Sequence, residues 1–242
     1  MDIFKSWLVE RCITHRGLHN DEFPENSLGA FLNAKNNGFP IELDVHIISD
    51  GTIVVFHDET LSRITGKDGY IKNLTKENLK DYNLLGTKYT IPTLEEVFEL
   101  VNGEVPILIE IKNTGKVGNL ENKLLKMLNS YNGEFAIQSF NPYVLEWFKK
   151  NAPQILRGQL AGYFKGEKLS FVKKFALKRI LLNKKVSCPN FISYDARNVP
   201  NRFVRRYKKL PLLVWTVRSQ DEYLKVVKHC DNIIFENFEP KI

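Results

Sequence analysis

Apolar positions along the 242-residue chain follow two alternating rhythms. Short runs that alternate apolar and polar residues, or are apolar throughout, predict strands. They are RCITHRG (11–17), PIELDVHI (40–47), PILIEIKN (106–113), FAIQSF (135–140), ILRGQLAG (155–162), FISYDAR (191–197), PLLVWTVR (211–218) and NIIFEN (232–237). Helical spacing fills the gaps. Leu28, Phe31, Leu32 and Ala34 form a stripe, with Asn26 before the helix, Ser27 in its first turn and Gly38 as its stop. Leu120, Leu124, Leu125 and Leu128 form another, and NPYVLEWFKKN, NRFVRRYKK and QDEYLKVVKHC each follow a strand. TKENLKDYN and TLEEVFELVN read as helices capped by Thr75 and Thr93. The basic segment 164–185 reads as largely helical. TIVVFHD (52–58) is an additional strand, joined to its predecessor by the turn signal SDG.

Repeated strand–helix units imply a parallel sheet, and eight of them imply a (β/α)₈ TIM barrel, an α/β fold of about this length. The rival is an open doubly wound sheet, but no GxGxxG or Walker sequence follows any strand. No linker rich in Pro, Gly or Ser interrupts the chain, so residues 1–242 read as a single domain. Residues 59–96 read as a small insertion after the second barrel strand.

Composition narrows the setting. The apolar fraction of 43% and charged fraction of 26% are those of an ordinary globular protein. No apolar run is long enough to span a bilayer, and MDIFKSWLVERC lacks a signal-peptide layout. Cys12, Cys188 and Cys230 are scattered and lack metal-site spacing, which fits reduced thiols and a cytoplasmic setting. The net charge of +7 suits an anionic partner, although a lysine-rich solvated exterior accounts more simply for most of the excess. Lysines without interleaved aromatic residues, and no nucleic-acid motif, argue against DNA or RNA.

Reactive groups in such a barrel sit at the C-terminal ends of the strands. There the sequence places His15 and Arg16, Glu42 and Asp44, His57 and Asp58, and Glu110 and Lys112. Glu42 and Asp44 share one face of their strand, as Glu110 and Lys112 do of theirs. Three carboxylates converging inside a barrel need a partner. Either a hard divalent cation held by oxygen ligands supplies it, or Arg16 and Lys112 do so in a structural salt-bridge cluster. His15 and His57 suit proton transfer beside a cation, because imidazole titrates near neutral pH. His19, His46 and His229 read as structural, with His46 on the same face as Glu42 and Asp44. Phe140 and Trp215 offer flat apolar surfaces at strand ends, or ordinary packing; Tyr194 and Asp195 could meet hydroxyls.

Together HRG (15–17), PENS (24–27), ELDVHIISDG (42–51), HDETLSRITG (57–66), IPTLEEV (91–97) and EIK (110–112) resemble the glycerophosphodiester phosphodiesterase family. QSF (138–140) and WTV (215–217) extend the likeness more loosely. The resemblance implies the same barrel, hydrolysis of glycerophosphodiesters to sn-glycerol 3-phosphate and an alcohol, and a divalent cation, Mg²⁺ or Ca²⁺ with Mn²⁺ as a third candidate. It implies Glu42, Asp44 and Glu110 as metal ligands and His15 and His57 as the acid–base pair. Arg16 and Lys112 then bind phosphate, and Phe140 and Trp215 line the substrate site. The chain departs from the family pattern at Arg218, after WTV, and at FENFEP (235–240), both on the rim that meets the glycerol or the alcohol. Two other functions fit these residues. One is a lysophospholipase D-type activity, with the basic segment 164–185 against a membrane. The other is a non-catalytic phosphodiester-binding barrel. Preferred alcohol, nucleophile, the division of acid and base roles, and oligomeric state stay open.

Overall fold

The structure is a computed structural model that describes residues 2–113, 115–163, 170–172, 175, 180, 183–207 and 209–241. Among these residues nine strands form one sheet. They are β1 (Ile13–Thr14), β2 (Ile41–Ile47), β3 (Ile53–Val55), β4 (Ile107–Ile111), β5 (Phe135–Ser139), β6 (Arg157–Ala161), β7 (Phe191–Asp195), β8 (Leu212–Val217) and β9 (Asn232–Phe235). The hydrogen-bonded order is β1-β9-β8-β7-β6-β5-β4-β2-β3, with β1 also pairing β2. Eight strands in a closed parallel order are those of a (β/α)₈ barrel; β3 is the extra strand. Contacts concentrate in two units, residues 14–135 and residues 1–13 with 136–242.

In the unit 14–135, β2 is the organising strand. It pairs in parallel with β4, setting Glu42 opposite Leu108 and Asp44 opposite Glu110, and antiparallel with β3. A parallel strand covered on both faces normally reads as continuous aliphatic sequence. Ile41, Leu43 and Val45 keep to that rule, while Glu42, Asp44 and His46 break it although all are buried. The turn between β2 and β3 is built as SDG predicts. Asp50 Oδ1 accepts from the Thr52 backbone at 2.9 Å, and Gly51 takes φ +86°.

Helix Leu28–Asn36 starts at Ser27, whose Oγ accepts from the Ala30 backbone at 3.1 Å. Ser27 is therefore the N-cap itself, and the helix begins one residue later than the sequence suggested. Helix Leu94–Val101 carries the full reciprocal cap between Thr93 and Glu96. Two segments expected as helices, TKENLKDYN and NRFVRRYKK, form only 3-10 turns, at Lys76–Asp81 and Val204–Tyr207. The insertion has a small core of its own. Leu61, Ile64, Ile71, Leu74, Leu79 and Leu84 pack with Ile48, Val54 and Phe56 from the β2–β3 hairpin.

In the other unit β5 to β9 run parallel, each paired with the next. Asn232 at the start of β9 donates to Leu8 O at 2.8 Å and Arg11 O at 2.7 Å, which ties the helix Trp7–Glu10 to the sheet. Most of the basic segment 164–185 lies outside the described residues. No helix among the described residues is long and apolar enough to cross a membrane.

Candidate active site

β1 ends in a tight turn that the sequence HRG makes necessary. Arg16 and Gly17 both adopt left-handed backbone angles, φ +58° and +82°. A Cβ at Gly17 would stand 2.9 Å from the Ala30 backbone, so only glycine fits there. The turn aims the Arg16 backbone N–H at Glu42 Oε2, 3.2 Å away, and brings Arg16 Nε to 3.4 Å from Asp44 Oδ2. Asn26, also left-handed at φ +56°, donates from Nδ2 to the same Asp44 oxygen at 2.9 Å.

Glu42, Asp44 and Glu110 are 1%, 1% and 6% exposed, and each offers an oxygen within 4.8 Å of the others. Lys112 Nζ stands 3.0 Å from Asp44 Oδ1 and 2.6 Å from Glu110 Oε1. Neither of those two buried oxygens accepts a directed hydrogen bond. Three acids thus face two basic groups, and the imbalance shows in their titration. Burial pushes Glu42 well above the usual carboxylate range, and the charges of Asp44 and Glu110 add to it. Burial raises Glu110 in the same way, against the pull of Lys112. Burial also works to raise Asp44, yet Lys112, His57 and Arg16 together hold it well below its usual range. Both expected partners of the acids, Arg16 and Lys112, are present, and they leave the cluster undercompensated. An all-oxygen set in which Asp44 Oδ1 and Glu110 Oε1 accept no directed bond among the described residues fits a hard divalent cation.

His57 follows β3, and its Nδ1 lies 2.5 Å from Asp58 Oδ1, so an ionised Asp58 fixes the proton on Nδ1 and leaves Nε2 free. Its charged form acts on both Asp44 and Glu110, which places it beside the cluster. His15 is buried at the end of β1, directly before Arg16. His46 has a different position: its Nε2 meets the His57 backbone carbonyl at 3.2 Å, and burial lowers its pKa. A neutral ring donating to that carbonyl shapes the chain at His57.

Phe140 and Trp215 belong to the other unit, where their rings meet edge to face with centroids 5.5 Å apart. Trp215 Nε1 is buried with no hydrogen-bond acceptor among the described residues. In the same unit, Arg218 Nε and Glu236 Oε1, from the two departing segments, form an ion pair at 2.7 Å. Sequence reasoning assigned no role to Glu25, Asn26, Asp58 or Arg63, although all four stand within the quoted motifs. Arg63 donates to both Asp58 and Glu25, and Glu25 Oε1 accepts from Arg16 at 2.6 Å. Their one sequence signal was the motif order itself, since they meet only in the folded chain.

Fold and site define a (β/α)₈ barrel with an acidic candidate cation centre at the ends of β2 and β4. The chain belongs to the glycerophosphoryl diester phosphodiesterase family, whose model matches residues 15–237. A glycerophosphodiester phosphodiesterase of Caldanaerobacter subterraneus subsp. tengcongensis is 41% identical over 160 residues, which cover 61% of this chain and 65% of that protein. A lysophospholipase D of Rattus norvegicus is 34% identical over 143 residues, covering 54% of this chain and 44% of that protein. The chain spans 65% and 64% of the lengths of the first two curated relatives, the second from Bacillus altitudinis. Among solved structures, an Oleispira antarctica phosphodiesterase in complex with the product sn-glycerol-3-phosphate matches with a TM-score of 0.80 at 23% identity, over 95% of this chain and 93% of that one. A Thermotoga maritima glycerophosphodiester phosphodiesterase matches with a TM-score of 0.72 at 26% identity, over 93% of this chain and 94% of that one.

Proposed function

We propose that the chain, acting as a single barrel domain, hydrolyses glycerophosphodiesters to sn-glycerol 3-phosphate and an alcohol. The observation that carries this reading is the undercompensated carboxylate cluster of Glu42, Asp44 and Glu110, set beside Arg16, Lys112 and His57. The family and its named relatives supply the substrate class.

Glu42, Asp44 and Glu110 would hold a divalent cation, Mg²⁺ or Ca²⁺ with Mn²⁺ as a third candidate. When bound, such an ion would neutralise phosphoryl charge. Arg16 binds the non-bridging phosphate oxygens, and Lys112 is a second phosphate contact. Both hold charge that grows as the nucleophile attacks, where it lowers the barrier most. Of the two imidazoles at His15 and His57, one takes the proton of the attacking hydroxyl. The other gives a proton to the alkoxide as the phosphorus–oxygen bond breaks. His57 is set for either part, because Asp58 holds Nδ1 and leaves Nε2 toward the reacting atoms. Phe140 and Trp215 keep the substrate-binding role that the family resemblance gives them, with the Trp215 indole N–H as a donor for a hydroxyl.

The test is release of glycerol 3-phosphate from glycerophosphocholine, with and without EDTA. Turnover should require the cation. His15→Ala and His57→Ala should each lower it by about 10²–10⁴-fold, the usual scale for acid–base groups, with cation affinity retained. Full turnover in either variant would remove that residue from proton transfer, and a wild type inert toward all glycerophosphodiesters would end the reading.

A second reading, lysophospholipase D-type hydrolysis at a membrane surface, draws on the rat relative and on Phe171 and Val172, which are 80% and 74% exposed. Sedimentation with anionic vesicles at low salt separates the two. No binding removes the membrane version.

A further inference from the structure

The phosphate-binding arginine and the proton-transferring histidine are joined by one side chain that touches neither. Arg63 sits in the short helix Ser62–Thr65 of the insertion, with 47% of its side chain exposed. Four of the five N–H donors of its guanidinium are committed. Nε donates to Asp58 Oδ2 at 2.6 Å, and NH2 to Asp58 Oδ1 at 3.0 Å. On the other side NH1 donates to Glu25 Oε2 at 2.9 Å and NH2 to Glu25 Oε1 at 2.8 Å. Each carboxylate in turn holds a group of the proposed machinery: Asp58 takes His57 Nδ1 at 2.5 Å, and Glu25 takes Arg16 NH1 at 2.6 Å.

We infer that Arg63 is a positioning residue that fixes His57 and Arg16 relative to each other through Asp58 and Glu25. The inference deepens the phosphodiesterase reading and rests on it for the roles of those two groups. Three features argue that the arrangement positions side chains rather than merely gluing the surface. First, both pairs are bidentate, the geometry that holds a carboxylate in one orientation rather than at one distance. Second, each carboxylate splits its capacity between Arg63 and one site residue, so turning either acid would move that residue. Third, the two acids are held firmly ionised. Burial works to raise Glu25, but the bonds from Arg63 and Arg16 bring it down to about 2. Burial likewise opposes Asp58, which His57 and Arg63 hold below its usual range. Lysine could replace the charge but not the double fork. The segments joined, HRG, PENS and HDETLSR, come in that order from the β1 end, the loop before helix Leu28–Asn36, and the stretch from β3 into the insertion. The insertion thereby gains a role in the chemistry that a lid alone would not have.

The test compares Arg63→Ala, Arg63→Lys, Asp58→Asn and the Arg63→Ala/Asp58→Asn pair in the full chain. The readouts are kcat and KM for glycerophosphocholine, Mn²⁺ affinity by calorimetry, and the NMR resonance of the His57 Nδ1 proton. Arg63→Ala should lose about ten- to a hundredfold in kcat, the scale expected of a misplaced catalytic group. Its Mn²⁺ affinity should stay within about twofold of wild type, because Arg63 touches none of the carboxylate ligands. The Nδ1 proton resonance should broaden or move upfield. In the Asp58→Asn background the Arg63→Ala change should cost little more, because the two act in series. Free guanidinium should restore part of the Arg63→Ala loss, and Arg63→Lys should fall between wild type and Arg63→Ala. If Arg63→Ala does not fold, Arg63→Lys carries the same readouts. Unchanged kcat with an unchanged resonance would overturn the inference, as would losses that multiply in the double variant. The resonance is read without turnover, so an inert wild type would defeat the phosphodiesterase reading while leaving this one decidable.

Discussion

Two sets of acids in the unit 14–135 behave oppositely. Glu42 and Glu110, at the ends of β2 and β4, are driven toward their neutral forms by burial and by the charge of Asp44. Glu25 and Asp58, on the rim, are held ionised, each shared between Arg63 and one further basic partner. The rim acids meet enough directed donors to satisfy them; among the inner acids Asp44 Oδ1 and Glu110 Oε1 accept no directed bond from the described residues. A carboxylate that is satisfied stabilises the fold, whereas one that is frustrated stores a demand for positive charge. The inner set is therefore where a ligand belongs, and the rim set is the frame that holds the residues around it.

The largest effect that could break this contrast comes from the inner set. Asp44→Asn should abolish measurable Mn²⁺ binding and nearly all turnover. It removes the triad member held most firmly in its ionised form, which also accepts a hydrogen bond from Asn26 and pairs with Lys112. A variant that still binds the ion with wild-type affinity would show that the triad is not its site.

The next effect belongs to the rim. Glu25 is depressed to about 2 in the folded chain, so its contribution is present above the unfolded carboxylate range and is lost as pH falls toward 2. Glu25→Gln should therefore lower stability at pH 7 by something on the order of 3 kcal/mol, and that difference should close between about pH 4 and pH 2. Thermal unfolding across that range reads it, and a pH-independent difference would mean that the ion pairs are not its cause.

The smallest effect has the reverse sign. Glu42 is raised in the folded chain, so its ionisation costs stability as pH rises above the unfolded range. Glu42→Gln keeps an acceptor for the Arg16 backbone and removes the charge. In the cation-free protein it should raise stability by about 1 kcal/mol, or ~2–4 °C in Tm at this chain length. A lower Tm would mean that the salt-bridge cluster with Arg16 and Lys112 is already balanced without a cation.

The contrast also marks how far the sequence could be read. β2 and β4 were legible because alternation within a strand fixes which side chains share a face, whatever the rest of the chain does. Glu42 and Asp44 on one strand and Glu110 on another therefore stood out as acids without an evident reason. The barrel order followed from the repetition of strand and helix. The rim was not legible in the same way. Glu25 and Arg63 are 38 residues apart, and no local period connects them. Asn26 likewise gains meaning only from the left-handed turn that carries its amide to Asp44. Local propensity misled at TKENLKDYN, where the chain makes a 3-10 turn that seats Leu79 in the insertion's small core rather than a longer helix. At β1 the expected strand of seven residues shrinks to Ile13–Thr14, because the turn at Arg16 and Gly17 ends it early.

The central claim is that Glu42, Asp44 and Glu110 together hold a divalent cation. Anomalous scattering from crystals grown with Mn²⁺ tests it most directly. The account predicts one ion coordinated by oxygens of all three side chains at about 2.0–2.6 Å, with Lys112 moved off Asp44 and Glu110. A centre without anomalous density at saturating Mn²⁺, its acids still bridged by Lys112, would contradict it.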